Sequence, residues 1–496
     1  FLANPSAVGH YAVCTGGVAL DGDAVAIVQN NELIQLLRTG KGAGLGGNAF
    51  LQAAVSYERI GIMIYNREAE TMPRKQIEAL QLERMKHILR YCYDNVKLYH
   101  DRFDAAGFDP DKFKALSDIK YIPPTTKDDL RDNYPFGLFA VPQKKVVRIH
   151  ASSGTTGKPI VAGYTANDLQ MWAECVARGL GCAGVTKKDT VQVAYGYGLF
   201  TGGLGLHYGV ERIGATVVPI SAGNTKRQLM LMQDLGTTAI ACTPSYALMM
   251  GETIRDQKID MTNFKLRVGI FGAEPWTEGM RSEIERLLNI RALDIYGLTE
   301  SVGPGVAMQC LEGEGLHIWE DYFIPEIVDP VTGEPLPDGK RGELVITTIG
   351  KEGMPTVRFR THDLTAIMPE PCSCGRTHRR ICRLHGRTDD MLVIRGVNVF
   401  PSQVETAITG IEGIAPRYML VVDRVRNLDT LEVQVELLPE LVSDEVRKIE
   451  ELRARVQKAI EQILGLGVTV RLMTPNSIER SEGKSKHIID KRKLAD

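Results

Sequence analysis

Between about residues 145 and 350, short β-branched runs alternate with helix-like stretches, and this alternation constrains the fold more than any other feature of the chain. The runs are "TVQVAYG", "ATVVPIS", "TTAIACT" and "LRVGIFG", interleaved with "TKRQLMLMQDL" and "EGMRSEIERLLN". Strands joined through helices run parallel and are covered on both faces, which accounts for runs with so few polar residues. The expectation is an α/β domain whose parallel sheets are flanked by helices. Two later runs, "RGELVITTI" and "TVRFRTHDLTAI", read as antiparallel strands. Upstream, Thr71 is placed to cap a helix and Pro73 to sit in its first turn. Apolar residues then recur at three and four through "IEALQLERMKHILRYCYDNV", the pattern of one buried helical face.

The texture changes around "HGRTDDMLVIRGVNVFPSQVE". Beyond it one amphipathic helix, "DEVRKIEELRARVQKAIEQIL", is flanked by "YMLVVDRV", "LEVQVEL" and "VTVRLM". That is a small α+β unit of roughly a hundred residues. With 496 residues the chain is too long for one core. Three parts are expected: a Gly/Ala-rich extension over 1–60, a large α/β domain over 61–388 and a small α+β domain over 389–496. The extension holds "GKGAGLGG" at 40–47, but no strand–helix context surrounds it, so a linker is the reading.

A net charge of −2 gives no reason to expect nucleic acid or a membrane surface as partner. No apolar run reaches the ~18 residues of a membrane helix, and no secretory leader is expected. Nine Cys in a chain this long do not make a disulfide framework. A reducing cytoplasm is expected, with clustered Cys read as metal ligands.

Hydroxyl and Gly residues concentrate in "HASSGTTGKPIVAGYT" at 150–165. A Walker loop fails on spacing, since Gly154 and Gly157 are three apart and Pro159 stands where Ser or Thr is needed. What remains is a turn in which Gly lets backbone N–H groups face inward and Ser152, Ser153, Thr155, Thr156 and Lys158 add donors. Such a turn suits a polyphosphate.

With five further segments, this loop resembles the adenylate-forming superfamily. The segments are "FGAEPW" at 271–276, "YGLTES" at 296–301, "RTHDL" at 360–364, "GRTDDMLVIRGVNVFPSQVE" at 386–405 and "ERSEGKSKHIIDKRK" at 479–493. Their order and spacing hold across about 63–496. Within the superfamily, "AYGYGLFTGGLGLHYGVERIGATVVPISAGNT" and "ACTPSYAL" are most similar to phenylacetate–coenzyme A ligases. The resemblance implies a large adenylation domain followed by a small mobile one.

It also implies roles. Ser152, Ser153, Gly154, Thr155, Thr156, Gly157 and Lys158 would hold the phosphates of ATP. Thr299 would bond the α-phosphate and Glu300 would hold Mg²⁺, with capping of the next segment as the other use for Glu300. Tyr296, beside Gly297, would stack on adenine, or else is a core aromatic. The backbone of Gly272, Ala273 and Glu274 would meet the adenine edge. Asp363 would accept both ribose hydroxyls, with Arg387 near ribose or phosphate. Lys484 would stabilise charge during adenylation, its motif favouring it over Lys486. Asp389 matches the hinge, with Asp390 in competition, and Gly396 would line the coenzyme A tunnel. Tyr195, Phe200, Ala273 and Pro304 would form an apolar acid pocket, with "TGGLG" letting backbone approach the ring.

Cys372 and Cys374 in "CSCG", with Cys310 and His317, could close a tetrahedral structural Zn²⁺ site. His378 and Cys382 are rival ligands, and reduced buried Cys is the alternative. The implied function is an ATP-dependent ligase that activates an aryl acid, phenylacetate first, and transfers it to coenzyme A. Alternatives are an adenylyltransferase of the coenzyme F390 synthetase type, a ligase for indoleacetate, hydroxyphenylacetate or benzoate, and a zinc-stabilised binding protein without catalysis. The partners are then ATP, coenzyme A and an aryl acid, with a homodimer as the implied assembly.

Overall fold

The computed structural model describes residues 18–20, 24–26, 63–152, 159–388, 392–395, 397–425, 428–439, 446–479 and 487–494. The chain divides into Phe1–Gly61 and Ile62–Asp496. In the first unit, strands Val18–Leu20 and Ala24–Ala26 pair antiparallel.

The first long helix spans Arg74–Asn95 and buries Ile77, Gln81, Met85, Ile88, Leu89 and Cys92, a stripe at three- and four-residue spacing. Its start corrects the sequence expectation. Pro73 is the N-cap, with extended ψ of 141°, rather than a first-turn residue. Thr71 instead closes the short helix Arg67–Glu70, where its hydroxyl donates to Arg67 O at 2.6 Å.

The β-branched runs form one half of a nine-stranded sheet. Strands Arg291–Leu298, Val268–Gly272, Ala239–Cys242, Thr190–Val193 and Thr216–Val218 lie side by side in that order, all parallel. Antiparallel strands complete the sheet: Gly303–Gln309, Leu316–Ile318, Arg380–Ile381 and Ile367–Met368. The direction reverses at the 299–302 loop because a connection this short makes a hairpin and not a crossover. The sheet is thus mixed: the parallel strands expected from the alternation make up its one side, and antiparallel strands the other.

Gly residues in "TGGLGLHYG" serve packing between helices. A Cβ on Gly205 would lie 2.4 Å from Trp172 Cζ2, and one on Gly209 would lie 2.2 Å from Val176 Cγ1. Helices Thr201–Ile213 and Ala166–Cys182 therefore meet backbone to side chain, four residues apart on each.

A three-stranded antiparallel sheet follows, Phe323–Val328, Gly342–Thr348 and Phe359–Thr365. Its last pairing slips, with Glu343 opposite Leu364 but Val345 opposite Arg360. The extra residues bulge, and His362 takes a left-handed φ of 66° within them.

The C-terminal part has its own core of Ile394, Val399, Val404, Tyr418, Leu420, Val433, Val456 and Ile460. Its four-stranded sheet runs Thr469–Met473, Leu428–Leu437, Ile414–Val425, Ile488–Asp490, with helices Pro401–Ile408 and Val446–Leu464. Side-chain contacts among the described residues hold it against the larger part. Thr277 Oγ1 donates to Glu405 at 2.7 Å, Arg417 pairs with Glu252 at 2.9 Å, and Ser402 Oγ donates to His385 O at 2.6 Å. Among the described residues no helix is long and apolar enough to cross a membrane.

Candidate active site

Strand Arg148–Ala151 delivers the hydroxyl-rich turn. Ser152 closes its neck: its N–H donates to Ile160 O at 2.9 Å, and its Oγ accepts from Ile160 N at 3.1 Å. Ser153, Gly154, Thr155, Thr156, Gly157 and Lys158 lie outside the described residues, as do Asp389, Gly396 and Lys484.

The other expected residues converge at the C-terminal ends of the central parallel strands, where open α/β sheets bind ligands. Gly272 ends its strand, and a Cβ there would stand 2.1 Å from Ile295 O. Ala273 follows with φ of 73°, a left-handed conformation for a residue with a Cβ. Glu274 turns its carboxylate to Ser245 N, 2.7 Å away. Tyr195 is buried and donates to Gly272 O at 3.4 Å, so two expected site segments touch. Phe200, by contrast, is 52% exposed at the start of helix Thr201–Ile213.

A hydrogen-bonded triad forms the firmest part of the site. Tyr296 Oη donates to Asp363 Oδ2 at 2.7 Å, and Arg387 Nη1 donates to Asp363 Oδ1 at 2.8 Å. The bulge lies between Arg360 and Leu364 and contains Asp363, and an isolated antiparallel bridge between Asp363 and Arg387 holds the Arg387 segment beside it. Burial, then the Asp363 charge, holds the Tyr296 phenol well above its usual range, so it stays a donor. Arg387 Nη2 also reaches Thr361 O at 3.2 Å. Tyr296 is 6% exposed, and its hydroxyl has an orienting contact that the motif alone did not indicate.

Thr299 and Glu300 occupy the reversing loop, with Glu300 6% exposed. Thr299 Oγ1 lies 3.4 Å from Thr201 Oγ1, which joins the loop to the helix beneath the expected acid pocket. Pro304 O accepts from Trp172 Nε1 at 2.8 Å. No motif pointed to Thr201 or Trp172. Their signal is the Gly pattern that draws the two helices together.

Elsewhere, Cys310, His317, Cys372 and Cys374 place four ligand atoms within 4.8 Å of one another. Cys310 Sγ lies 3.5 Å from Cys372 Sγ, and Cys374 Sγ lies 3.4 Å from His317 Nε2. His317 Nδ1 faces His378 O at 3.2 Å, which leaves Nε2 toward the thiols. The rivals fall away. His378 accepts from Glu320 N at 2.8 Å through Nδ1 and meets Ala69 O at 2.9 Å through Nε2, so both ring nitrogens are engaged. Cys382 stands outside the cluster. All four groups lie at the antiparallel edge of the nine-stranded sheet, and Arg380 ties it by donating to Glu314 O at 2.6 Å and Glu370 O at 3.0 Å.

Comparison with known proteins now bears on this geometry. The AMP-binding enzyme family model matches residues 76–351, and the AMP-binding enzyme C-terminal domain matches residues 396–492. The chain is 49% identical to a phenylacetate-coenzyme A ligase of Thermus thermophilus, over 87% of this chain and 100% of that protein. It is 52% identical to the Escherichia coli phenylacetate-coenzyme A ligase, over 86% of this chain and 97% of that one. Among solved structures, 2-hydroxyisobutyryl-CoA ligase in its postadenylation state superposes with a TM-score of 0.81 at 28% identity, covering 86% of this chain and 92% of that one. The same enzyme in its thioesterification state reaches 0.64 at 29% identity, covering 86% and 93%. Coverage is alike in the two, so the arrangement of this chain is nearer to that enzyme's postadenylation state.

Proposed function

Since this chain belongs to the phenylacetate–coenzyme A ligase family of AMP-binding enzymes, we propose that it activates phenylacetate with ATP and passes the acyl group to coenzyme A. The products are phenylacetyl-CoA, AMP and pyrophosphate. The observation that carries this reading is identity near one half along 97–100% of the length of ligases for that acid.

A carboxylate repels nucleophiles; joined to AMP it becomes a mixed anhydride with a good leaving group. The acid lies among Tyr195, Phe200, Ala273 and Pro304, its oxygen directed at the α-phosphate. Ser152 and the turn to Lys158 hold the departing pyrophosphate. Asp363, oriented by Tyr296 and Arg387, accepts the ribose hydroxyls, and the Gly272–Glu274 backbone meets adenine. Thr299 donates to the α-phosphate. Glu300 is the carboxylate that would hold Mg²⁺, which supplies charge neutralisation on the phosphates. Lys484 approaches the anhydride as charge develops. The small domain, 389–496, then swings about Asp389 away from the large one, 61–388, withdrawing Lys484 and bringing Gly396 to the thiol path. The likeness to a postadenylation arrangement supports this two-stage scheme.

Cys310, His317, Cys372 and Cys374 fit Zn²⁺: three thiols and one imidazole form a closed set with no place for a water, so the metal would be structural. A cytoplasmic homodimer completes the reading. None of the eight described Cys is in a disulfide, and light scattering tests the dimer.

ATP- and coenzyme A-dependent turnover across phenylacetate, hydroxyphenylacetates, indoleacetate and benzoate tests the substrate. Phenylacetate should lead in kcat/KM. AMP transfer without a thioester would instead make this an adenylyltransferase. Lys484→Ala should slow acyl-adenylate formation by ~10²–10³; full speed would end the assignment.

A further inference from the structure

Glu300 stands on a hairpin loop whose backbone carbonyls would wander unless something held them. Side chains from three separate elements do so. Lys351 Nζ donates to Ser301 O at 2.8 Å. Tyr164 Oη donates to Val302 O at 3.0 Å, with Thr299 O at 3.5 Å. Trp172 Nε1 takes Pro304 O at 2.8 Å. All three side chains are buried, Lys351 at 1% exposure. They also pack on one another: Tyr164 stacks on Trp172 at 5.3 Å, and Lys351 Nζ sits 4.6 Å from the Tyr164 ring centroid.

Lys351 is itself fixed from behind. Asp168 accepts from Glu352 N at 2.7 Å and from Gly353 N at 2.9 Å, pinning the segment that bears Lys351 to the start of helix Ala166–Cys182. Glu352 faces away, bonded to Thr165 and Asn167. The carboxylates whose charge Lys351 feels are Asp168 and Glu300. Burying an ammonium is costly, and a Met of similar length would fill the space more cheaply. A charge kept at that cost, beneath the loop that carries Glu300, calls for a role beyond packing.

We propose that Lys351, seated on Tyr164, is a positioning residue for acyl-adenylate formation: it fixes the Ser301 carbonyl and thereby the Glu300 carboxylate that receives the divalent cation. This rests on the role given above to Glu300. On this reading the ammonium need touch no substrate. It acts by holding the Ser301 peptide plane, next in the chain to Glu300, whose charge it also feels.

The full-length enzyme tests this with Lys351→Met, Glu300→Gln and the double variant. Two half-reactions are measured: phenylacetate-dependent ATP–pyrophosphate exchange over a Mg²⁺ titration, and thioester formation from supplied phenylacetyl-adenylate and coenzyme A. K351M should lose roughly a hundredfold in exchange, the scale of a misplaced catalytic group, and need more Mg²⁺ for half-saturation. It should leave thioester formation unchanged. The double variant should be no worse than E300Q alone, because the two act as a unit. K351M with parental exchange and Mg²⁺ dependence overturns the inference. So does an equal loss in both half-reactions, which is a structural defect. E300Q at the parental rate sinks the reading of Glu300 itself, a result distinct from either. Should K351M fail to fold, Tyr164→Phe with E300Q carries the same cycle, and additive losses there overturn the proposal.

Discussion

Replacing Glu405 by Gln should change how tightly the C-terminal part is held, and should do so as a function of pH. Glu405 lies on helix Pro401–Ile408 and accepts from Thr277 Oγ1 at 2.7 Å and from Thr277 N at 3.3 Å. Burial outweighs these bonds, and the nearby Glu274 charge adds to it, so the carboxyl is pushed up from 4.5 to about 7. A carboxyl raised in this way binds its proton more tightly when docked than when released to water. It therefore contributes fully to the docked arrangement below about 4.5, and the contribution is lost as pH rises through about 7. The gap from 4.5 to about 7 is worth roughly 3 kcal/mol at ~1.4 kcal/mol per pH unit. Gln has no proton to lose. The assay is thioester formation from supplied phenylacetyl-adenylate between about pH 5.5 and 8, a step that requires the contact to open on the scheme above. In the parent the step should accelerate as pH rises and the hold weakens. In E405Q the part of that acceleration due to Glu405 should vanish, with transfer slower than in the parent at the alkaline end. Ionisation of the coenzyme A thiol affects both proteins alike, so their ratio isolates Glu405. Parallel pH profiles for parent and E405Q would refute the reasoning.

Three further outcomes are expected. Purified protein should hold about one zinc per chain, and Cys374→Ser should lose it along with thermal stability while substrate KM values stay put; elemental analysis and calorimetry read both. Gly205→Val should destabilise by about 1–3 kcal/mol in chemical denaturation, because its Cβ would sit 2.4 Å from Trp172 Cζ2. Asp363→Asn should raise the KM for ATP by about ten- to a hundredfold, the range for losing hydrogen bonds to a charged acceptor, and should weaken use of supplied phenylacetyl-adenylate as well, since the adenylate carries the same ribose; steady-state kinetics of both half-reactions read it.

What the sequence disclosed follows the range of the interactions involved. Parallel strands such as Val268–Gly272 were legible because burial on both faces leaves an unbroken apolar run. The reversal at residues 299–302 was not, since the alternation of strand-like and helix-like runs did not show one strand ending and the next beginning so close behind it. Tyr296, Asp363 and Arg387 were each marked by a motif, but their mutual bonds depend on a two-residue slip opposite Glu343 and Val345 that no local pattern records. His317 was the expected ligand with His378 as its rival, and only the partners of their ring nitrogens separate the two. Lys351 carried no mark at all, because its acceptor lies 50 positions away and its setting is made by an aromatic pair on other elements.

On the ribose role proposed for it, the carboxylate of Asp363 would bear on which sugar the enzyme accepts. One acceptor direction on each oxygen is already taken, by Tyr296 and by Arg387. With the carboxylate held by both bonds, vicinal hydroxyls of a bound ribose would meet the two that remain with little rearrangement. A 2′-deoxy nucleotide would leave one of them facing nothing, with no side-chain freedom to compensate. Discrimination between ATP and dATP would thus come from stiffness rather than from any added contact.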